Sequence, residues 1–200
     1  MLGKLNRKVS PIMRLAQSTV LAFLLCLAGG AVMAADKTEL SGTPAVLPSG
    51  LIMIEGHNVA LWGIDALAND QKCWHDDRAW DCGEEALTVL RHHLTGSQMR
   101  CIVKADNGGG TIGAQCFRTK NGKEIDVARY MVSQGYARDR AEDSGGLYAP
   151  EQDEARRDRR GIWTSRFQSA EDWKSGMPHF VKYQMAPPKT LGSAADKPQE

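Results

Sequence analysis

Two short apolar hairpins, each followed by an amphipathic segment, set the strongest limit on how this chain folds. Residues 51–54 form an apolar run, Glu55-Gly56-His57 reads as a turn, and residues 58–62 return as a second strand. Residues 83–95 place Ala86, Leu87, Leu90 and Leu94 at helical spacing, with Glu84 and Glu85 in the first turn and Gly96 as a stop. The second hairpin joins 99–103 to 111–117 through the glycine-rich turn 107–110. A second helix is predicted over 125–134, with Ile125, Ala128, Met131 and Val132 inward and Gly135 ending it. A third begins at Pro150 and ends at Gly161. The 200 residues suit one compact domain with tails. This order alone supports a small α+β domain, and short twisted strands with a helix between them fit a five-stranded barrel of the OB type.

The N-terminus reads as an export signal over residues 1–34. Lys4, Arg7, Lys8 and Arg14 precede an uncharged run over 15–35 whose apolar heart is 20–27. Gly29, Gly30 and Val32-Met33-Ala34 before Ala35 form a small-residue exit suited to cleavage. An uncleaved anchor is the alternative, because the uncharged run is nearly long enough to span a membrane. Leu25 before Cys26 is too bulky for a lipoprotein signal. The expected location is therefore periplasmic or secreted. Of 25 basic and 24 acidic residues, removing those four cations leaves an acidic excess of three. Such a domain has no general electrostatic pull on nucleic acid.

Four cysteines remain beyond that signal: Cys73, Cys82, Cys101 and Cys116. An even number in an exported chain points to disulfides, with three possible pairings. Cys73–Cys82 and Cys101–Cys116 are favoured, the second joining adjacent strands of a hairpin. Each closed loop is expected to contribute about 2–3 kcal/mol. A four-cysteine zinc site is the rival, but CxxC spacing is absent. Residues 35–46 read as a polar linker, 47–174 as the folded domain, and 175–200 as a disordered, proline-containing tail.

The stretch 61–82 carries the candidate site: a strand breaks at Gly63, presents Asp65, and runs into the loop between Cys73 and Cys82. With it go Gln71, Cys82-Gly83, Cys101, the segment Gly113-Ala114-Gln115-Cys116 and residues 131–137, MVSQGYA. Tyr148, Glu154-Ala155-Arg156, Gly161-Ile162-Trp163, Phe167 and Trp173 follow in order. In these residues the chain resembles the staphylococcal nuclease (thermonuclease-like) family, in its exported bacterial branch. The resemblance implies a mainly-β member of the α+β class: a five-stranded OB barrel with three helices.

It also implies a chemistry against which the residues can be checked. Phosphodiester hydrolysis requires a hard cation held by oxygen ligands, a carboxylate that orients or deprotonates water, and guanidinium groups on the phosphoryl oxygens. In the family these are two metal-binding aspartates, a glutamate and two arginines. The second aspartate corresponds to Asp65, the one remaining metal-ligand candidate. The other positions fall on Gly50, Ala60, Ala68 and Thr111, so four of five are lost. Losing a single transition-state donor typically costs about 10²–10³ in rate, and such losses within one unit are not additive. Glu55, Asp70, Asp76 or Asp77 are conceivable substitute carboxylates, but residues 40–71 contain no Arg or Lys.

Other clusters point less sharply to function. His92 and His93, adjacent on a helix, diverge and read as solvated rather than as metal ligands. His75-Asp76-Asp77 reads as a polar disulfide loop, with cation binding as the alternative. Arg156, Arg157, Arg159 and Arg160 lie among Glu151, Asp153, Glu154 and Asp158 and read as a salt-bridged surface, with a polyanion-binding strip as the alternative. Trp163, Phe167 and Trp173 read as packing residues.

The expectation is an exported, catalytically degenerate thermonuclease-like protein with a binding or accessory role and no cofactor. The resemblance extends to exported thermonuclease-like proteins of rhizobial succinoglycan gene clusters, which implies exopolysaccharide biosynthesis and a polysaccharide or envelope-protein partner rather than nucleic acid. Two alternatives stand beside it: a calcium-dependent extracellular nuclease with a rearranged site, and an envelope scaffold that makes contact through its tail.

Overall fold

In the computed structural model, residues 38–176 are described; the expected export signal and the tail beyond 176 lie outside them. Strands β1 (Glu39–Gly42) and β2 (Ala45–Val46) lead into the hairpin β3 (Ile52–Ile54) and β4 (His57–Leu61), then β5 (Ile64–Ala66). A small hairpin, β6 (Cys73–His75) and β7 (Arg78–Trp80), precedes helix α1 (Cys82–Leu94). The long hairpin β8 (Gln98–Asp106) and β9 (Thr111–Lys120) follows, then β10 (Lys123–Asp126), α2 (Val127–Ser133) and β11 (Ala137–Asp139). Helices α3 (Ala141–Ser144) and α4 (Ala149–Arg157), a 3-10 turn (Gly161–Thr164) and α5 (Ala170–Lys174) complete the chain.

The main sheet runs β1-β8-β9-β4-β3-β2, with β10 added beside β9. Since only Thr43 and Pro44 separate β1 from β2, one short segment pairs with both ends of the sheet. The sheet must therefore curl on itself, and Pro44, which has no N–H to donate, sits at the switch. Counted with residues 39–46 as one strand, the barrel has five strands, and β4 and β9 pair in parallel. Leu40, Ile52, Ile54 and Val59 of the barrel pack with Leu90 and Leu94 of α1 and Val127 and Met131 of α2 in the main core. A smaller core gathers Ala155, Ile162, Trp163 and Phe167 around the disulfide between Cys73 and Cys82. Cys101 lies directly opposite Cys116 in the β8–β9 register, and the two are joined with their Cα atoms 4.0 Å apart. Two such bonds belong to a chain that folds in an oxidising environment. None of the described helices is long and apolar enough to cross a membrane.

Several sequence-based boundaries need correction. Residues 39–46 are not a linker: they are the first barrel strand, and Leu40 is buried in the core. Their apolar alternation extends over too few positions to stand out from a polar stretch. Ile125 belongs to β10, and α2 starts only after Asp126, whose side chain accepts a hydrogen bond from the Arg129 N–H at 3.0 Å. The helix opened by Pro150 ends at Arg157, short of Gly161, which instead begins the 3-10 turn. Five helices, rather than three, are present among the described residues, because α3 and α5 have only four and five residues and carry no readable period.

Candidate functional site

Asp65 sits in the middle of β5, a three-residue strand that pairs antiparallel with β11 and places Arg138 directly opposite. Opposite charges at directly paired positions attract across the sheet. Here the Arg138 guanidinium donates to Asp65 Oδ2 from Nη2 at 2.5 Å and from Nε at 3.2 Å. The backbone N–H of Ala170, at the start of α5, reaches the same oxygen at 3.4 Å. Both side chains of the pair are about four-fifths buried, so water screens their attraction little. One carboxylate thus ties together β5, β11 and α5.

The loop after Asp65 is held as firmly. Gln71 is fully buried; its side-chain oxygen accepts from the Ala68 N–H at 3.2 Å, and its Nε2 donates to the Gln168 carbonyl at 2.8 Å. Its own carbonyl accepts from the Gly83 N–H at the start of α1. Trp173 of α5 donates from its indole N–H to Asp70 Oδ1 at 3.1 Å. The loop is therefore clamped between α1 on one side and the C-terminal segment on the other.

A cleft of about 750 Å³ opens beside this strand, and Gly50, Ala60, Asp65 and Ala68 all line it. Three of the four positions that the resemblance points to therefore border the same cleft as Asp65. Thr111, the fourth, opens β9, which runs parallel to β4 with Thr111 in register with Asn58. Gly50, Ala60 and Ala68 present only hydrogen, methyl groups and backbone to the cleft, where hydrolysis would require a carboxylate or guanidinium. Of the four substitute carboxylates, Asp70 lines the cleft; Glu55 lies in the β3–β4 turn and Asp76 and Asp77 in the β6–β7 turn.

The donor set does not fit a calcium ion. Calcium takes six to eight oxygen ligands, whereas Asp65 is engaged by a guanidinium and Gly50 supplies no carboxylate. Among the described residues, no group of three or more His, Cys, Asp or Glu side chains converges to hold a metal. The cations that do border Asp65 come from far along the chain. Arg138 is 73 residues away, and Arg140 and Lys174 line the same cleft. A search for basic residues near Asp65 in sequence misses all three. The available signal was Arg138 itself, immediately after the motif ending at Ala137, in a segment too short to read as a strand.

Elsewhere the expectations divide. His92 is exposed, but His93 is not solvated: it is buried and stacks on Tyr130 with ring centroids 3.5 Å apart. Burial above all, helped by Arg118, His92 and Lys120, lowers its pKa from 6.5 to about 4. The four arginines of α4 and its exit do not form one strip. Arg160 bonds Glu154 and Asp158 at 2.9 and 2.5 Å, and Arg156 lies over the Trp163 ring at 5.1 Å, while Arg157 and Arg159 are exposed. Trp163 and Phe167 pack in the smaller core, and Trp173 lies against Trp74.

The succinoglycan biosynthesis protein ExoI of Rhizobium meliloti (strain 1021) is 35% identical over 128 residues, which is 62% of this chain. The match covers 65% of that protein, so the chain spans slightly less than two thirds of its relative's length. The extended Tudor domain of Drosophila Melanogaster Tudor-SN (p100) superposes with a TM-score of 0.41 at 12% identity, covering 76% of this chain and 87% of that domain. The family described as Staphylococcal nuclease homologue matches residues 58–165, more than half of the chain, from the second residue of β4 through the 3-10 turn. The chain belongs to the staphylococcal nuclease homologue family.

Proposed function

We propose that this protein is an exported, catalytically degenerate member of its family that works by binding, in exopolysaccharide biosynthesis, rather than by cleaving phosphodiesters. One observation carries the reading: the Asp65 carboxylate is engaged by Arg138 at 2.5 Å, in a cleft where Gly50, Ala60 and Ala68 supply no reactive side chain. A guanidinium already neutralises the charge with which a hard cation would be held, and no second carboxylate from position 50 competes for one. The pathway rests on the similarity to a succinoglycan biosynthesis protein. The disulfides and the signal-like N-terminus support export to the periplasm or beyond.

A second reading has one observation in its favour. Asp70, Arg140 and Lys174 line the same cleft as Asp65 and could make up a rearranged hydrolytic set. Digestion of single-stranded DNA and RNA by the purified protein with added calcium separates the two, with Asp65→Ala and chelator controls. No cleavage above the Asp65→Ala background is expected. Cleavage that requires both calcium and Asp65 would refute the binding-only role.

A further inference from the structure

A second pocket, of about 370 Å³, opens where the β6–β7 hairpin meets residues 163–167, and it shares no lining residue with the Asp65 cleft. Its volume falls in the range of small-ligand sites. Its walls are built rigidly. The Cys73–Cys82 disulfide anchors the hairpin, and Trp74 and Arg166 exchange two backbone hydrogen bonds, each 2.9 Å. His75 Nδ1 lies 3.1 Å from the Thr164 carbonyl oxygen and fixes the hairpin a second time.

The lining combines three kinds of group. Trp74, half-buried, supplies the accessible aromatic face, while the buried Trp163 and Phe167, packed edge to face at 5.3 Å, form the apolar floor. Arg156 and Arg166 bring two guanidinium groups; Arg156 lies over Trp163, and Arg166 donates to the Asp76 carbonyl oxygen. The remaining polar groups are mainly acceptors. Thr164 and Ser165 already donate their hydroxyl protons, to the carbonyls of Gly161 at 2.8 Å and Ile162 at 3.0 Å, which leaves their oxygens to accept. The Asp76 carboxylate, at the exposed tip of the hairpin, joins no ion pair among the described residues.

We infer that this pocket binds a saccharide unit that carries a carboxylate. A sugar ring places its apolar C–H face on aromatic carbons and offers hydroxyl protons to the acceptors on Asp76, Thr164 and Ser165. A carboxylate on that ring meets guanidinium groups, which match it in planar two-point geometry. A nucleotide brings more negative charge against Asp76, and an aromatic acid brings no hydroxyl donors. The inference rests on the binding role proposed above but assigns it to residues outside the Asp65 cleft.

The test is calorimetric titration of the full chain with methyl galacturonoside, a monosaccharide with one carboxylate, and with its methyl ester, which is the same saccharide without the charge. The acid is expected to bind, and the ester about tenfold more weakly, the loss of one charge-assisted contact. Trp74→Ala and Arg166→Gln should each weaken binding of the acid. Should Trp74→Ala fail to fold, Arg166→Gln changes only an exposed side chain, keeps the backbone pairing with Trp74 and still reports on the site. No binding, equal affinity for acid and ester, tighter binding of a nucleoside monophosphate, or an acid affinity unchanged in Arg166→Gln would each overturn the proposal. None of these outcomes bears on phosphodiester cleavage at Asp65, so the two readings fail separately.

Discussion

Lowering the pH from about 7.5 to about 4 is expected to destabilise this domain through a single buried imidazole. His93 lies in the last turn of α1, 5% exposed, stacked on Tyr130, and its Nε2 has no hydrogen-bond partner among the described residues. Burial is the main cause that lowers its pKa from 6.5 to about 4; the charges of Arg118, His92 and Lys120 act in the same direction. Between those two values the unfolded chain holds a proton on His93 that the folded chain does not, so folding stability falls as the pH falls. The contribution is complete above 6.5 and lost by about 4. At 1.36 kcal/mol per pKa unit, the loss is on the order of 3 kcal/mol. Urea unfolding followed by tryptophan fluorescence, at fixed ionic strength across this range, measures it. His93→Phe keeps a ring against Tyr130 but removes the titration, so its stability should fall less than that of the parent by about this amount. Parallel curves for the two proteins would show that His93 does not resist protonation, and the reasoning from burial would fail.

Two further predictions concern the frame that holds the site. A Cβ on Gly83 would lie 1.9 Å from the Ala68 carbonyl oxygen and 2.8 Å from that of Asn69, so Gly83→Ala forces α1 away from the Asp65 loop. A loss of about 1–3 kcal/mol is expected from such overpacking, read as a lower melting temperature; an unchanged one would mean that the loop is not clamped there. Replacing Cys101 and Cys116 together by serine opens a 15-residue loop and should cost about 3 kcal/mol in urea unfolding, with a slightly smaller loss for Cys73 and Cys82. Midpoints equal to that of the parent would show that strand pairing alone closes these loops.

The parts of the fold that could be read from the sequence are those whose signal is local. The Glu55-Gly56 turn between β3 and β4, the glycine-rich turn between β8 and β9, and the apolar face of α1 each fall within a dozen or so residues. Cys101 and Cys116 could be paired because a hairpin places them on facing strands. His93 was open to the same reading: it lies three residues beyond Leu90 and seven beyond Ala86, on the buried face of α1. Treating it as half of a His-His pair obscured that position. Strands β1, β2, β5 and β11 have two to four residues each, too few for a period-two pattern to emerge, and the partners of β1, β5 and β11 lie tens of residues away. Their existence depends on the closed barrel and not on local preference.

The same distinction governs Asp65. Its place could be found from the strand, the glycine and the loop around it, and the cleft gathers Gly50, Ala60 and Ala68 beside it. Its present role could not, because that is set by a partner 73 residues along the chain and by the backbone of α5. The carboxylate keeps its place by accepting a guanidinium. Removing either member now leaves the other mostly buried and uncompensated, a larger penalty than an exposed pair would carry. Retaining an aspartate of the family site is thus sufficiently explained by the tie it makes between β5, β11 and α5. Its presence alone is not evidence for hydrolysis, which would need further carboxylates and guanidiniums, and positions 50, 60, 68 and 111 carry Gly, Ala, Ala and Thr.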